Sequence, residues 1–273
     1  MTETALDLGF ERRGERTALV RRVFRWPYVV MRPFRLDAAP AHMTTVVVQS
    51  SGAALQRGDR LRQNIGLGEG AAAHVTTQGA QAAHAAKDER IAEETVSLHV
   101  ARGGYLEYLP EPRILFPGAD VLCQLDLDCA ADGVALISDA FAWHDPEGMQ
   151  RTPRRLRSTM TLRIDGGRAA AIERTDISRF APRLGGFAAF GTMALVAPGR
   201  IDSGACADVN AALGRIEGLY AAASLLPGAI GVGLRFAGRD LRAVRAGLHF
   251  GWSWSRMLLS GAPPPGRRKE SSP

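Results

Sequence analysis

The sequence predicts a mainly β fold, and three patterns carry that expectation. Apolar and polar residues alternate with period two through several segments. Turn-forming residues recur at short intervals between those segments. Helical periodicity is confined to the last quarter of the chain.

In chain order, Val96, Leu98 and Val100 alternate with Ser97, His99 and Ala101. Val121, Cys123, Leu125, Leu127 and Cys129 alternate with Gln124, Asp126 and Asp128. Leu156, Met160, Leu162 and Ile164 alternate with Arg157, Thr159, Thr161 and Arg163. Such alternation buries one set of side chains and leaves the other in solvent. Asp165-Gly166-Gly167-Arg168 tolerates positive φ, so a hairpin into Ala169–Thr175 is expected.

Turns are expected at Arg13-Gly14-Glu15, Ser51-Gly52, Arg57-Gly58-Asp59, Arg102-Gly103-Gly104 and Ala131-Asp132-Gly133. Many short strands with this spacing fit a sandwich, a barrel or a solenoid. No fixed-period repeat is present, which argues against a regular propeller or leucine-rich array.

Two helices are expected late. Val209, Leu213 and Ile216 recur at i, i+4 and i+7, with Asp202 or Ser203 placed to cap the preceding turn. Leu241, Val244, Leu248 and Trp252 form the stripe of a second helix near Arg239–Leu259, with Arg239, Arg242 and Arg245 on another face. Between them, Leu219–Leu226 and Ile230–Phe236 read as a strand pair joined at Pro227-Gly228. No linker divides the chain. One domain over residues 1–260 is expected, followed by a disordered Pro/Arg-rich tail over 261–273.

A chain of 273 residues that is 46% hydrophobic can bury a sizeable core. Its net charge is +6, almost entirely from arginine, since Lys87 and Lys269 are the only lysines. A basic chain suits nucleic acid, an acidic membrane surface or an acidic protein. High arginine and alanine equally fit a GC-rich coding bias. Three scattered cysteines give no disulfide framework. The N-terminal residues lack the positive charge and apolar core of a secretory signal, and no run reaches the length of a membrane span. A soluble cytoplasmic protein is expected.

Motifs for chemistry are sparse. Gly66-Leu67-Gly68-Glu69-Gly70 lacks the spacing, lysine and following helix of a phosphate loop and reads as a turn. No nucleophile elbow is present, and no cysteine has an evident histidine partner. His74 and His84 each read as structural or exposed. His144, Asp145 and Glu147 share a turn that offers at most a weak metal site, the basis of a metal-dependent-enzyme alternative. Arg151, Arg154, Arg155 and Arg157 cluster without the aromatic residues of a nucleic-acid stacking platform. The +6 charge makes a basic nucleic-acid-binding protein the other alternative. Asp59, Glu107 and Glu111 are carboxylates in or beside turns, able to bind divalent cations or another protein's arginines.

At these positions the chain resembles the urease accessory protein UreD (UreH) family. The resemblance is carried by Gly58-Asp59-Arg60-Leu61, Val75-Thr76-Thr77-Gln78 and Gly104-Tyr105-Leu106-Glu107-Tyr108-Leu109-Pro110. Ile114-Leu115-Phe116-Pro117-Gly118-Ala119, Gln124, Gly191-Thr192, Leu195-Val196-Ala197-Pro198 and Tyr220 to Pro227 continue it in order. The resemblance implies an irregular β-helix-like solenoid with two helices near the C-terminus. It further implies a non-enzymatic scaffold that binds UreF, and through it the GTPase UreG, and docks on apo-urease to deliver nickel. No permanently bound cofactor, nucleic acid or membrane is implied; Ni²⁺ is in transit through a tunnel lined by acids. By position Asp59 and Glu107, with Glu111 behind them, are the expected lining residues. The chain departs from the resemblance after Ile137-Ser138-Asp139, where Phe141–Gly148 stands in place of a Gly-Arg…Gly-Glu segment, and Asp139, Asp145 or Glu147 would substitute for its glutamate.

Overall fold

A computed structural model describes residues 5–51, 54–56, 58–85, 91–178, 186–202 and 204–266. Of the described residues 51% are strand and 13% helix, wound as a β-solenoid of about 3 turns. The first strands are β1 (Leu6–Arg13), β2 (Arg16–Phe24), β3 (Tyr28–Val30), β4 (Thr44–Ser50), β5 (Ala54–Leu55) and β6 (Arg60–Leu67). Next come β7 (Ala72–Thr77), β8 (Gln81–Ala83), β9 (Ala92–Val100), β10 (Tyr105–Tyr108), β11 (Arg113–Leu115) and β12 (Asp120–Cys129). Then follow β13 (Val134–Trp143), β14 (Arg155–Ile164), β15 (Ala169–Ile177) and β16 (Ala189–Val196). Helix α1 (Ala205–Leu213), β17 (Leu219–Leu225), β18 (Gly231–Gly238) and helix α2 (Leu241–Ser260) complete the order.

Successive coils stack in parallel. One sheet runs β15-β14-β12-β9-β6-β1-β2, and the other runs β17-β18-β16-β13-β10-β7-β4-β3. The short strands β5, β8 and β11 stack as a third side that joins β13. The expected alternation holds: Val96, Leu98, Val100, Val121, Cys123, Leu127, Leu156, Met160 and Leu162 are all buried between the sheets. Removing side chains of this size from water stabilises the fold by roughly 1.5–3 kcal/mol each.

Strand β13 is buried on both faces. Ala135, Ile137 and Phe141 join the core between the sheets, whereas Val134, Leu136, Ala140 and Ala142 face a second core. That second core lies under the helices. It takes Val209 and Leu213 from α1, Val244 and Trp252 from α2, and Leu234 and Phe236 from β18. A strand covered on both sides reads as a near-continuous apolar run, as Val134–Ile137 does.

Helix α2 starts where Asp240 accepts the Ala243 N–H (2.9 Å), and ends at Gly261 with φ +69°. It lies close on the sheet because Gly247 and Gly251 face it. A Cβ at Gly247 would stand 2.8 Å from Phe236 and Leu219, and one at Gly251 2.8 Å from Met193 Sδ. Among the described residues, no helix is long and apolar enough to cross a membrane.

The Asp165-Gly166 turn has positive φ at both residues and returns the chain into β15, as expected. The pair β17–β18 is also as expected. Helix α1 ends earlier than its periodicity implies. After Leu213 the chain tightens into i→i−3 hydrogen bonds, which still bring Ile216 against the second core. Asp202 accepts the Gly204 N–H (2.8 Å) in the preceding turn, while Ser203 lies outside the described residues, as do 267–273 of the expected tail.

Candidate functional site

Parallel stacking sets equivalent residues of successive coils beside one another, and one such row is polar inside an apolar core. Glu94 on β9, Cys123 on β12 and Ser158 on β14 are in register. Each is in phase with buried neighbours on its strand, so each points between the sheets. From the opposite side Arg113 on β11 and Asp139 on β13 meet them. Tyr28 Oη and Gln63 Nε2 both donate to Glu94 Oε1, at 2.8 and 2.9 Å. Arg113 donates through one terminal nitrogen to Glu94 and through the other to Asp139. Ser158 Oγ donates to the second Asp139 oxygen (2.6 Å).

The result is a polar seam, Tyr28–Gln63–Glu94–Arg113–Asp139–Ser158, running from coil to coil. At one end a cavity of about 350 Å³ touches Tyr28, Gln63, Glu94 and Arg113 and continues past Thr77, Gln78 and Glu111. At the other a cavity of about 400 Å³ touches Asp139 and Ser158 and reaches Glu173 and Asp176. Between them, a space of about 20 Å³ at Glu94, Arg113, Cys123, Asp139 and Ser158 has room for about one water. Arg113 lines both this space and the first cavity, and its buried Nε has no acceptor among the described residues.

Two carboxylates against one guanidinium leave this buried seam with a net negative charge. Burial by itself would raise the Glu94 pKa, but Arg113, Tyr28 and Gln63 hold it below the usual carboxylate range. Burial raises the Cys123 thiol to about 12, against the opposing pull of Arg113. It therefore stays a neutral thiol, a poor metal ligand beside the oxygen donors.

A second polar cluster lies on the opposite face of the second sheet, beneath α2. Thr45, His74 and Glu107 are in register there on β4, β7 and β10. Glu107 is fully buried and accepts from His74 Nδ1 (2.7 Å), Trp252 Nε1 (2.9 Å), Tyr105 Oη (3.3 Å) and Arg256. Arg256, also fully buried, further reaches Asp37 (2.8 Å) and the Ala39 carbonyl (2.9 Å). Burial pushes the Glu107 pKa up; the hydrogen bonds and charge of His74 and Arg256 outweigh it and bring the carboxyl to about 2.

The family model described as UreD urease accessory protein matches residues 2–271. The chain belongs to the UreD family. It is 47% identical over 245 residues to urease accessory protein UreD 2 of Bradyrhizobium sp. strain BTAi1, covering 89% of this chain and 85% of that one. It is 32% identical over 268 residues to UreD 1 of Methylorubrum populi, covering 96% and 90%. The UreD of Haloarcula marismortui is 32% identical over 270 residues, covering 97% and 89%.

In this UreD chain the family-like segments at Thr76-Thr77-Gln78 and Leu109-Pro110-Glu111 meet one another. Thr76 Oγ1 donates to the Leu109 carbonyl (2.7 Å), and Thr77 Oγ1 accepts the Glu111 N–H (2.9 Å). From these segments Thr77, Gln78, Pro110 and Glu111 line the seam's first cavity. Glu111 borders that cavity and pairs with Arg245 of α2 (2.9 Å). Glu107 faces the other way, into the cluster under α2. Asp59 lies in the turn after Gly58, where its carboxylate accepts the Gln56 N–H (2.7 Å). The three carboxylates are thus in three different surroundings.

The other candidate chemistry is locally neutralised. Asp145 and Glu147 both pair with Arg151. Arg154 and Arg157 pair with Asp120, and Arg155 with Asp176. Among the described residues, no group of three or more His, Cys, Asp or Glu is placed to hold a metal ion.

The sequence reading missed Glu94, Arg113, Asp37 and Arg256 as a set. Signals for two of them existed. Glu94 alternates in phase with Ala92, Val96, Leu98 and Val100, a carboxylate in a buried row. Arg256 continues the apolar stripe four residues after Trp252. Their partners come from strands far apart in the chain, which no local pattern announces.

Proposed function

We propose that the chain is a non-catalytic scaffold for urease maturation, assisting nickel insertion into apo-urease in a cytoplasmic assembly with UreF and, through it, the GTPase UreG. Membership in the UreD family supports the accessory role. The single observation that carries the nickel reading is the seam: a buried, net-negative line of oxygen donors joining two cavities.

A conduit must attract Ni²⁺ without trapping it. Isolated carboxylates, a hydroxyl and an amide suit that better than a closed Cys/His cage, which would hold a borderline transition metal. Glu94 and Asp139 are the two carboxylates that take the role expected of the acidic lining, with Glu111 at the mouth. Arg113 bridges both and offsets one of their two charges when no cation is present. An entering Ni²⁺ replaces the guanidinium as counter-charge, so passage requires Arg113 to swing aside. Asp59 and Glu107 stand outside this path, Glu107 as the tie between the sheet and α2.

The test is genetic and chemical. In a strain lacking the chain, urease is expected to accumulate without nickel and to regain metal and activity when the chain is restored. Nickel-loaded urease in the deletion strain would refute the role.

A further inference from the structure

The stack ends at residues 16–36 without the cover that the helices give the second sheet. Among the described residues, seven of the thirteen exposed large apolar side chains fall between Val20 and Leu36. Trp26 is 65% exposed, and Val23, Met31, Phe34 and Leu36 are each close to half exposed. Among the described residues, strand β2 pairs with β1 alone and β3 with β4 alone, so each is the last described strand of its sheet. Arg21, Arg22, Val23 and Phe24 are exposed in succession, which leaves both faces of the outer half of β2 bare. Open edges and apolar patches of this kind mark association surfaces.

Charge selects the occupant. Residues 5–36 hold eight arginines against Asp7, Glu11 and Glu15, and so carry five of the chain's six net positive charges. Arg13 pairs with Glu11 and Arg21 with Asp7. Arg16, Arg22, Arg32 and Arg35, all exposed, have no ion pair among the described residues. We propose that this end of the solenoid is a docking face for an acidic protein surface with an apolar centre, seated along the open edge of β2.

The chemistry favours protein over the other polyanions. Four of the seven apolar side chains are Val20, Val23, Met31 and Leu36, which offer bases no flat surface to stack on. A lipid surface would leave the outward N–H and C=O groups of β2 unpaired, whereas a polypeptide can pair them. The proposal rests on the maturation role above, because it places one of the proteins of that assembly here.

The experiment measures binding of the purified full-length chain to UreF, UreG and apo-urease of the same organism, each alone, at low and moderate salt. Two double variants at exposed positions are compared with wild type: Val23→Ser with Trp26→Ala, and Arg22→Glu with Arg32→Glu. Circular dichroism and melting confirm that each stays folded. At least one of the three proteins should bind the wild type, weaken with salt, and lose about tenfold or more in affinity with each variant. Hydrogen exchange should slow in β2 when that protein is bound. Unchanged binding by both folded variants overturns the docking face and leaves the maturation role intact. Protection of β2 by self-association, by an oligo-dT strand or by phosphatidylglycerol vesicles, in place of a protein, also overturns it. Failure of all three proteins to bind the wild type removes both readings.

Discussion

The carboxylate of Glu107 and the guanidinium of Arg256 meet with neither residue exposed, and this contact fixes α2 onto the solenoid. The two lie 149 positions apart, so the pair closes the fold across more than half the chain. A glutamate that the family resemblance marks as a metal contact is saturated by four side chains: His74, Tyr105, Trp252 and Arg256.

Breaking this pair from one side should be costly. Arg256→Ala leaves the buried Glu107 and Asp37 carboxylates without their shared cation and is expected to lose about 3–5 kcal/mol in urea unfolding, whereas Glu107→Ala leaves Arg256 paired with Asp37 and should cost less. Glu107→Leu and Asp37→Asn combined with Arg256→Met, which leave none of the three charges buried, should recover part of the Arg256→Ala loss. Single variants that unfold at the wild-type urea concentration would show that the contact contributes little.

The same pair sets a pH dependence. The folded Glu107 carboxyl sits at about 2, below its ordinary value of 4.5. A depressed carboxylate contributes its stability above the unfolded value and loses it as pH falls toward the folded one. Urea midpoints of the wild type should therefore drop between about pH 4.5 and 2, and Glu107→Gln should flatten that part of the profile. Parallel profiles for the two proteins would contradict the assignment.

Much of the fold was legible because it follows from period-two burial. Val121 to Cys129 alternates without interruption, and Asp165-Gly166 supplies the positive φ of its hairpin. Strand β13 was harder, since burial on both faces erases the alternation. The site was less legible still. Arg113 and Glu94 are joined by stacking of coils, and the in-register row Glu94, Cys123, Ser158 exists only once three parallel strands align. Asp139 entered the sequence reading as one of three possible acids, and only the strand phase of β13 sets it inside. The resemblance weighted Glu107, whose phase on β10 points it toward α2.

The close seating of α2 depends on residues without side chains. Gly251→Leu would drive a side chain into Met193, and Gly247→Val would meet Phe236 and Leu219. Each is expected to destabilise by about 1–3 kcal/mol, or more where the helix lifts and exposes Trp252. Thermal melting with tryptophan fluorescence reads both effects. Native fluorescence and an unchanged melting temperature would show that the helix has room to spare.

The turn holding His144, Asp145 and Glu147 should be dispensable for metal handling. Its two carboxylates are engaged by Arg151, so His144→Ala and Asp145→Asn should leave urease activation at the wild-type level. Activation lost in His144→Ala, with the variant still folded, would revive a metal-dependent role for that turn.

The proposed function routes Ni²⁺ past Glu94 and Asp139. The most direct measurement is the nickel content of urease matured with Glu94→Gln/Asp139→Asn, counted per active site after the assembly has been isolated. Both substitutions keep side-chain size and some hydrogen bonding to Arg113 while removing the negative charge. With this route, the assembly should form normally and the urease should be left largely without nickel. Full nickel loading by that folded, assembled variant would contradict it.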